Sequence, residues 1–242
     1  MPDASPSRYR RVILKISGEG FAQSGQFGID PEELKTIARE IVVARREDVQ
    51  LAVVVGGGNI IRGAELAQSV GIHQSTADYM GMLGTVLNGM ALKEAVEKEG
   101  QPCRLMSAIE IPSVAETFIR GRALRHLDKD RVLILAAGTG NPFVTTDTCA
   151  ALRAAELSAD VVLKATKVDG VYTADPKLDP TATRYDRLTF QEAISRQLGV
   201  MDLTALTMCM KHDLPIVVFD FKQPGNIRRV IAGENVGTLV TN

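Results

Sequence analysis

The chain has 242 residues, enough for one large α/β domain or two small ones. Hydrophobic residues at 45% and charged residues at 24% are ordinary for a soluble globular protein, and a formal net charge of −1 gives no footprint for nucleic acid. No apolar run approaches the ~20 residues that cross a bilayer. The polar start, with Pro2 and Pro6 and no apolar centre, is unlike a secretory signal and reads as a flexible leader over 1–10 ahead of a single domain over 11–242.

Strand-like apolar runs fall at 12–17, 51–55, 103–107, 132–136, 161–165, 215–219 and 238–240. Several are apolar at successive residues (Leu51-Ala52-Val53-Val54-Val55, Val132-Leu133-Ile134-Leu135), as strands buried on both faces require. Helix-like segments alternate with them. Asp30 precedes Pro31 and stands three residues before Glu33, a capping-box spacing with proline at the first helical position. Between Asp78 and Glu97, residues Met82, Val86, Gly89, Leu92 and Val96 share one stripe, widened by Met80, Leu83, Leu87, Met90 and Ala91. That predicts a long helix covered on several sides, by core or by another subunit. A further helix is expected over 147–157, and Thr189 with Glu192 repeats the capping spacing before 193–198. The irregular stretch 166–187 is long for a compact domain, which suggests a functional loop able to cover a nucleotide. The alternation predicts a three-layer αβα sandwich around a mainly parallel sheet.

Three turns follow strands: Lys15 to Gly18, Gly56-Gly57-Gly58-Asn59, and Gly138-Thr139-Gly140-Asn141-Pro142-Phe143-Val144-Thr145-Thr146 before Asp147. Such turns between a strand and a helix offer backbone N–H groups and hydroxyls to an anion, and in parallel sheets ligands sit beyond the carboxyl ends of the strands. Lys15 and Lys164 each interrupt an apolar strand, which is costly unless the ammonium reaches a partner. Together they suit a transferring phosphoryl group. Arg62 could fork onto phosphate oxygens, while Asp147 could cap its helix or hold the two lysines. Cys103, Cys149 and Cys209 form no C-x-x-C pair and suit a reduced, cytoplasmic compartment. His73, His126 and His212 show no zinc spacing. No P-loop, dinucleotide fingerprint or G-x-S-x-G elbow occurs. The residues alone therefore point to an α/β protein for phosphorylated ligands, acting in phosphoryl transfer, without naming a substrate.

Lys15-Ile16-Ser17-Gly18-Glu19, the run Val55 to Gly63, Asp78-Tyr79-Met80-Gly81-Met82-Leu83, Gly138 to Asp147, Lys164 to Pro176, and Met201-Asp202-Leu203-Thr204-Ala205 resemble the bacterial-type uridylate (UMP) kinases of the amino acid kinase superfamily. The similarity runs from about Arg11 to the C-terminus. It implies transfer of the ATP γ-phosphoryl group to UMP with magnesium, in pyrimidine nucleotide synthesis. It implies ATP phosphates at Lys15, Ser17, Gly18, Gly58 and Arg62, and the adenosine side at Thr166, Tyr172 and Asp175. UMP is implied at Gly57, Asp78, Thr139, Gly140, Asn141, Pro142, Phe143, Val144, Thr145 and Thr146, with Val144 standing where a second phenylalanine is expected. Lys15 and Lys164 would stabilise the phosphoryl group and Asp147 would orient them. The acceptor side would lie in the N-terminal part and the ATP side from about 160 onward. The resemblance also implies a homohexamer, activation by GTP at Gln23, Ser24, Gly25, Gln26, Phe27 and Gly28, and inhibition by UTP. Two alternatives stay open: a superfamily member acting on a carboxylate or carbamate, and a catalytically silent nucleotide sensor.

Overall fold

The computed structural model describes residues 9–62, 71–176 and 178–242. Gly63 of the glycine motif and leader residues 1–8 lie outside them. Tyr9 is buried, and the backbone N–H groups of Arg10 and Arg11 donate to Asp160 at 2.6 and 2.7 Å, so Tyr9 and Arg10, assigned to the leader, are held against the domain.

Nine strands form one sheet: β1 (Arg11–Ile16), β2 (Gln50–Val55), β3 (Cys103–Ser107), β4 (Glu116–Thr117), β5 (Val132–Ala136), β6 (Val161–Thr166), β7 (Arg187–Thr189), β8 (Ile216–Asp220) and β9 (Thr238–Thr241). Their spatial order is β4-β3-β5-β2-β1-β6-β8-β9-β7, with only the β8–β9 pair antiparallel. The helices are α1 (Pro31–Arg45), α2 (Gln74–Lys98), α3 (Arg120–Leu127), α4 (Thr146–Leu157), α5 (Phe190–Ser195), α6 (Leu203–Lys211) and α7 (Asn226–Ile231). All seven expected strands are present. The pairs β4 and β7 add short pieces at the two edges that carry no extended apolar run.

The strands are apolar throughout because each serves two cores. Val12, Leu14 and Ile16 pack with α1, α2 and α7, while Ile13 faces the other core with α3, α4, α5 and α6. The same alternation divides Leu163 and Ala165 from Val162 on β6. This is the expected three-layer sandwich. Since side chains alternate along a strand, Lys15 and Lys164 point to the α4–α6 side.

The caps follow the sequence signals, with two differences. Asp30 accepts from the N–H groups of Glu32 and Glu33, and Thr189 with Glu192 forms a complete capping box. The helix after Thr189 starts at Phe190 rather than 193, because the capping residue itself fixes the first turn. On α2, Met82, Val86, Gly89, Leu92 and Val96 are buried as expected, but Leu83, Leu87 and Met90 stay exposed within the chain, in line with exposed Tyr79.

One polar pair lies deep in this frame. Asn88 of α2 is fully buried, exchanges hydrogen bonds with Asn59 (2.6 and 3.0 Å) and donates to the Gly56 carbonyl at 2.7 Å. Asn88→Ala would strand Asn59 and the Gly56 carbonyl, so a loss of about 2–3 kcal/mol is expected in urea unfolding. A loss below about 0.5 kcal/mol would show that these bonds contribute little to the native fold.

Candidate active site

Strand register brings the two lysines together. Lys15 and Lys164 are direct partners across the parallel β1–β6 pair, on the same face, near the carboxyl ends of central strands. Asp147, on the first turn of α4, lies between their tips. Its Oδ1 is 2.7 Å from Lys15 Nζ and its Oδ2 is 2.8 Å from Lys164 Nζ. Lys15 is the one partner that Oδ1 has among the described residues. Lys164 also donates to the Val200 carbonyl.

All three side chains are nearly buried. Burial pushes the Asp147 carboxyl up, but the combined charges of Lys15 and Lys164 outweigh it and hold the group below the ordinary aspartate range. Burial pulls Lys164 down from its ordinary value; attraction to Asp147 opposes this, repulsion by Lys15 adds to it, and the net shift is downward. Two ammoniums around one carboxylate give these three groups a surplus positive charge, offset in part by the Asp202 carboxylate facing Lys164. A buried ion pair is a poor source of stability, and a surplus charge is poorer still. It is a good receptor for an anion.

Asp147 does not cap α4. Thr145 does, its hydroxyl accepting from the N–H groups of Asp147 (3.1 Å) and Thr148 (3.3 Å). The capping role left open in the sequence therefore falls to a neighbour, which frees the Asp147 carboxylate for the lysines.

Glycine turns close the floor. A Cβ on Gly18 would sit 2.3 Å from the Gly58 nitrogen, and one on Gly57 would sit 2.6 Å from the Gly81 carbonyl oxygen of α2. A Cβ on Gly58 would meet nothing within 4 Å, so its backbone faces open space. Ser17 precedes Gly18 in the same turn. Arg62 lies 3.2 Å from Glu19 and over the Phe27 ring at 5.8 Å.

A cleft of about 180 Å³ opens between α2 and the turn after β5. Gly57, Gly58, Asp78, Thr139, Val144, Thr145 and Thr146 line it, whereas Gly140, Asn141, Pro142 and Phe143 form the outer part of the turn and do not. Asp78 ties the two walls: Oδ1 accepts from Gln74 Nε2 at 2.7 Å and Oδ2 from the Phe143 N–H at 2.8 Å. That bond holds Phe143 in the left-handed region (φ 65°), which is unfavourable for a phenylalanine. Thr85 adds a second tie, accepting from the Ala137 N–H at 2.6 Å.

Thr166, Tyr172 and Asp175 lie beyond β6. Thr166 accepts from the Val168 N–H at 3.2 Å, the Tyr172 hydroxyl donates to Asp169 at 2.7 Å, and the Asp175 carbonyl closes a turn at Leu178 and Asp179. A bridge between Tyr172 and Arg184 organises the loop expected to be irregular. The segment Gln23 to Gly28 is exposed up to Phe27, and only its last residue meets the glycine turn: Gly28 donates to the Asn59 carbonyl and accepts from its side chain. Among the described residues no three His, Cys, Asp or Glu side chains gather to hold a metal.

Several contributors escaped the sequence reading: the Val200 carbonyl, Thr85, Gln74, Asn88, Thr148 and Asp202. Asp202 alone was named there, within the run Met201 to Ala205 that carries the family resemblance, but without a role.

A model of the amino acid kinase family matches residues 10–220. The structure is similar to the UMP kinase from Bacillus anthracis, with a TM-score of 0.94, 39% identity and 96% of each chain covered. It is similar to the UMP kinase from Ureaplasma parvum at a TM-score of 0.91 and 34% identity, over 97% of this chain and 100% of that one. The uridylate kinase from Archaeoglobus fulgidus follows at 0.71 and 32%, over 95% and 99%. With a family match over most of its length and relatives this similar from end to end, the chain belongs to the amino acid kinase family.

Proposed function

We propose that the chain is a UMP kinase, transferring the γ-phosphoryl group of ATP to UMP to give ADP and UDP. The observation that carries this reading is the Lys15–Asp147–Lys164 cluster, one residue along from the cleft wall at Thr146. Its support in kind is the likeness to three UMP or uridylate kinases over nearly the whole chain.

In this mechanism a phosphate oxygen of UMP bonds to the γ-phosphorus while the bond from that phosphorus to the bridging oxygen breaks, and ADP leaves. Lys15 and Lys164 balance the charge spread over the migrating group. Asp147 holds both ammoniums and takes no proton, since its carboxyl is kept in the charged form. Ser17, Gly18, Gly58 and Arg62 take the ATP phosphates, and Thr166, Tyr172 and Asp175 the adenosine. Gly57, Asp78 and the turn 139–146 take UMP. Both Asp78 oxygens already accept one bond each, yet a carboxylate has lone pairs for a ribose hydroxyl as well. Magnesium on the ATP phosphates would supply further neutralisation.

The same proposal makes the protein a cytoplasmic enzyme of pyrimidine nucleotide synthesis and a homohexamer. Three buried free cysteines suit a reducing compartment, and the exposed apolar side chains along α2 suit a subunit contact. GTP at 23–28 would act through the bonds from Gly28 to Asn59, with UTP opposing it.

An ADP-release assay with UMP, CMP, dUMP, glutamate and aspartate as acceptors tests the whole reading: UMP should give the highest kcat/KM. Preference for an amino acid, or nucleotide binding without turnover, would replace it. Lys15→Ala and Asp147→Asn should each lower kcat at least ~100-fold, the scale of losing one preorganised charge, while UMP affinity moves by no more than about threefold. Near-normal rates in both variants would remove the cluster from the chemistry. Asp78→Asn should instead raise the KM for UMP about tenfold, roughly 1.4 kcal/mol, with kcat little changed; an unaltered KM would take Asp78 out of the acceptor site. In the ligand-free protein, NMR titration should show Lys164 losing its proton below 10.5, its ordinary value. The groups facing it are Lys15 from β1, Asp147 from α4 and Asp202 ahead of α6. Asp147→Asn removes an attraction that raises this value, so the midpoint should drop further; an upward move would contradict the charge balance.

A further inference from the structure

Asp202 lies outside the cluster but touches what holds it. Its carboxylate caps α6 by accepting from the Ala205 N–H at 2.9 Å. It also accepts from the Thr148 hydroxyl at 2.9 Å (Oδ1) and 3.0 Å (Oδ2), and from the Thr145 hydroxyl. A hydroxyl has one hydrogen. With the Thr145 hydrogen committed to Asp202, that oxygen presents only lone pairs to the N–H groups of Asp147 and Thr148, which are the bonds that cap α4. Two residues before Asp202, the Val200 carbonyl accepts from Lys164. One short segment thus grips the first turn of α4 from one end and the Lys164 ammonium from the other.

We propose that Asp202 is a positioning residue for the transfer: through Thr145 and Thr148 it sets the first turn of α4, and with it the carboxylate that both lysines share. The proposal rests on the reading of Lys15, Asp147 and Lys164 as the transfer site. It calls for an anionic carboxylate and not merely a helix cap. Three donors converge on the two oxygens, and an amide would turn one of them into a donor facing a hydroxyl.

That difference separates positioning from stability. Asn and Ser both cap helices about as well as Asp, so Asp202→Asn and Asp202→Ser should keep α6 and the melting temperature. Each should lower kcat at least tenfold with the KM values for ATP and UMP within threefold. In the nucleotide-free protein, hydrogen exchange at the Asp147 and Thr148 amides should quicken at least tenfold. The proposal is overturned by unchanged exchange at those amides, by kcat within twofold of the parent, or by losses in both variants that merely follow the loss of folded protein. Should the parent itself make no UDP, the UMP kinase reading fails on its own, and the exchange measurement still decides whether Asp202 fixes the α4 turn.

Discussion

Two lysines set side by side on neighbouring central strands repel each other, and in a nearly dry interior that repulsion is not damped by water. The fold accepts it because a single carboxylate reaches both. Asp147 can do so only if the start of α4 lies over the carboxyl ends of β1 and β6, and that placement depends on the core in which Ile13 and Val162 pack against Cys149, Ala150, Ala151 and Ala154. The charge cluster and the hydrophobic layer are therefore one constraint. A shift of α4 by a single turn, roughly 5.4 Å, would carry the carboxylate away from both ammoniums. Replacing the three groups by apolar residues of similar volume would suit stability better, as buried ion pairs commonly show. Their presence is best explained by what an anion gains on arriving.

The glycines work on the same principle of proximity. Gly18, Gly56 and Gly57 sit where two backbones approach so closely that a methyl group would strike a nitrogen or a carbonyl oxygen. These contacts are backbone on backbone, so nothing flexible can yield. Gly58 differs, since its missing side chain opens toward space. The first three hold the floor together and the fourth keeps it accessible. The Asn59–Asn88 pair then joins this floor to the middle of α2, whose N-terminal part carries Asp78 and hence the wall of the cleft.

Much of this was legible in the sequence because buried parallel strands write an unambiguous pattern. Runs such as Leu51 to Val55 have no polar face, and lysines interrupting two such runs stand out on energetic grounds alone. The edge strands β4 and β7 were not legible, since two or three residues with exposed positions carry no periodicity. The cap of α4 was ambiguous for a different reason. Thr145 and Asp147 are both good caps by residue type, and only the backbone angle of Thr145, extended with ψ near 169°, decides between them. The threonine partners of Asp202, Thr145 and Thr148, lie more than 50 residues away, beyond any local pattern. The apolar side chains of α2 that stay exposed are equally silent in sequence, where an exposed apolar residue looks the same as one facing the core.

The state of Asp147 limits the acceptor more sharply than the fold does. A carboxyl held below its ordinary range, with a lysine ammonium against each oxygen, has little affinity for the proton of an alcohol. The acceptor must arrive already anionic. A phosphate monoester qualifies at neutral pH, with a second pKa of about 6, and so does a carboxylate or a carbamate. If the cluster is the transfer site, its charges suit any of these anionic acceptors alike. A choice among them would then fall to the neighbouring cleft, where Asp78 binds the turn after β5 through the Phe143 N–H.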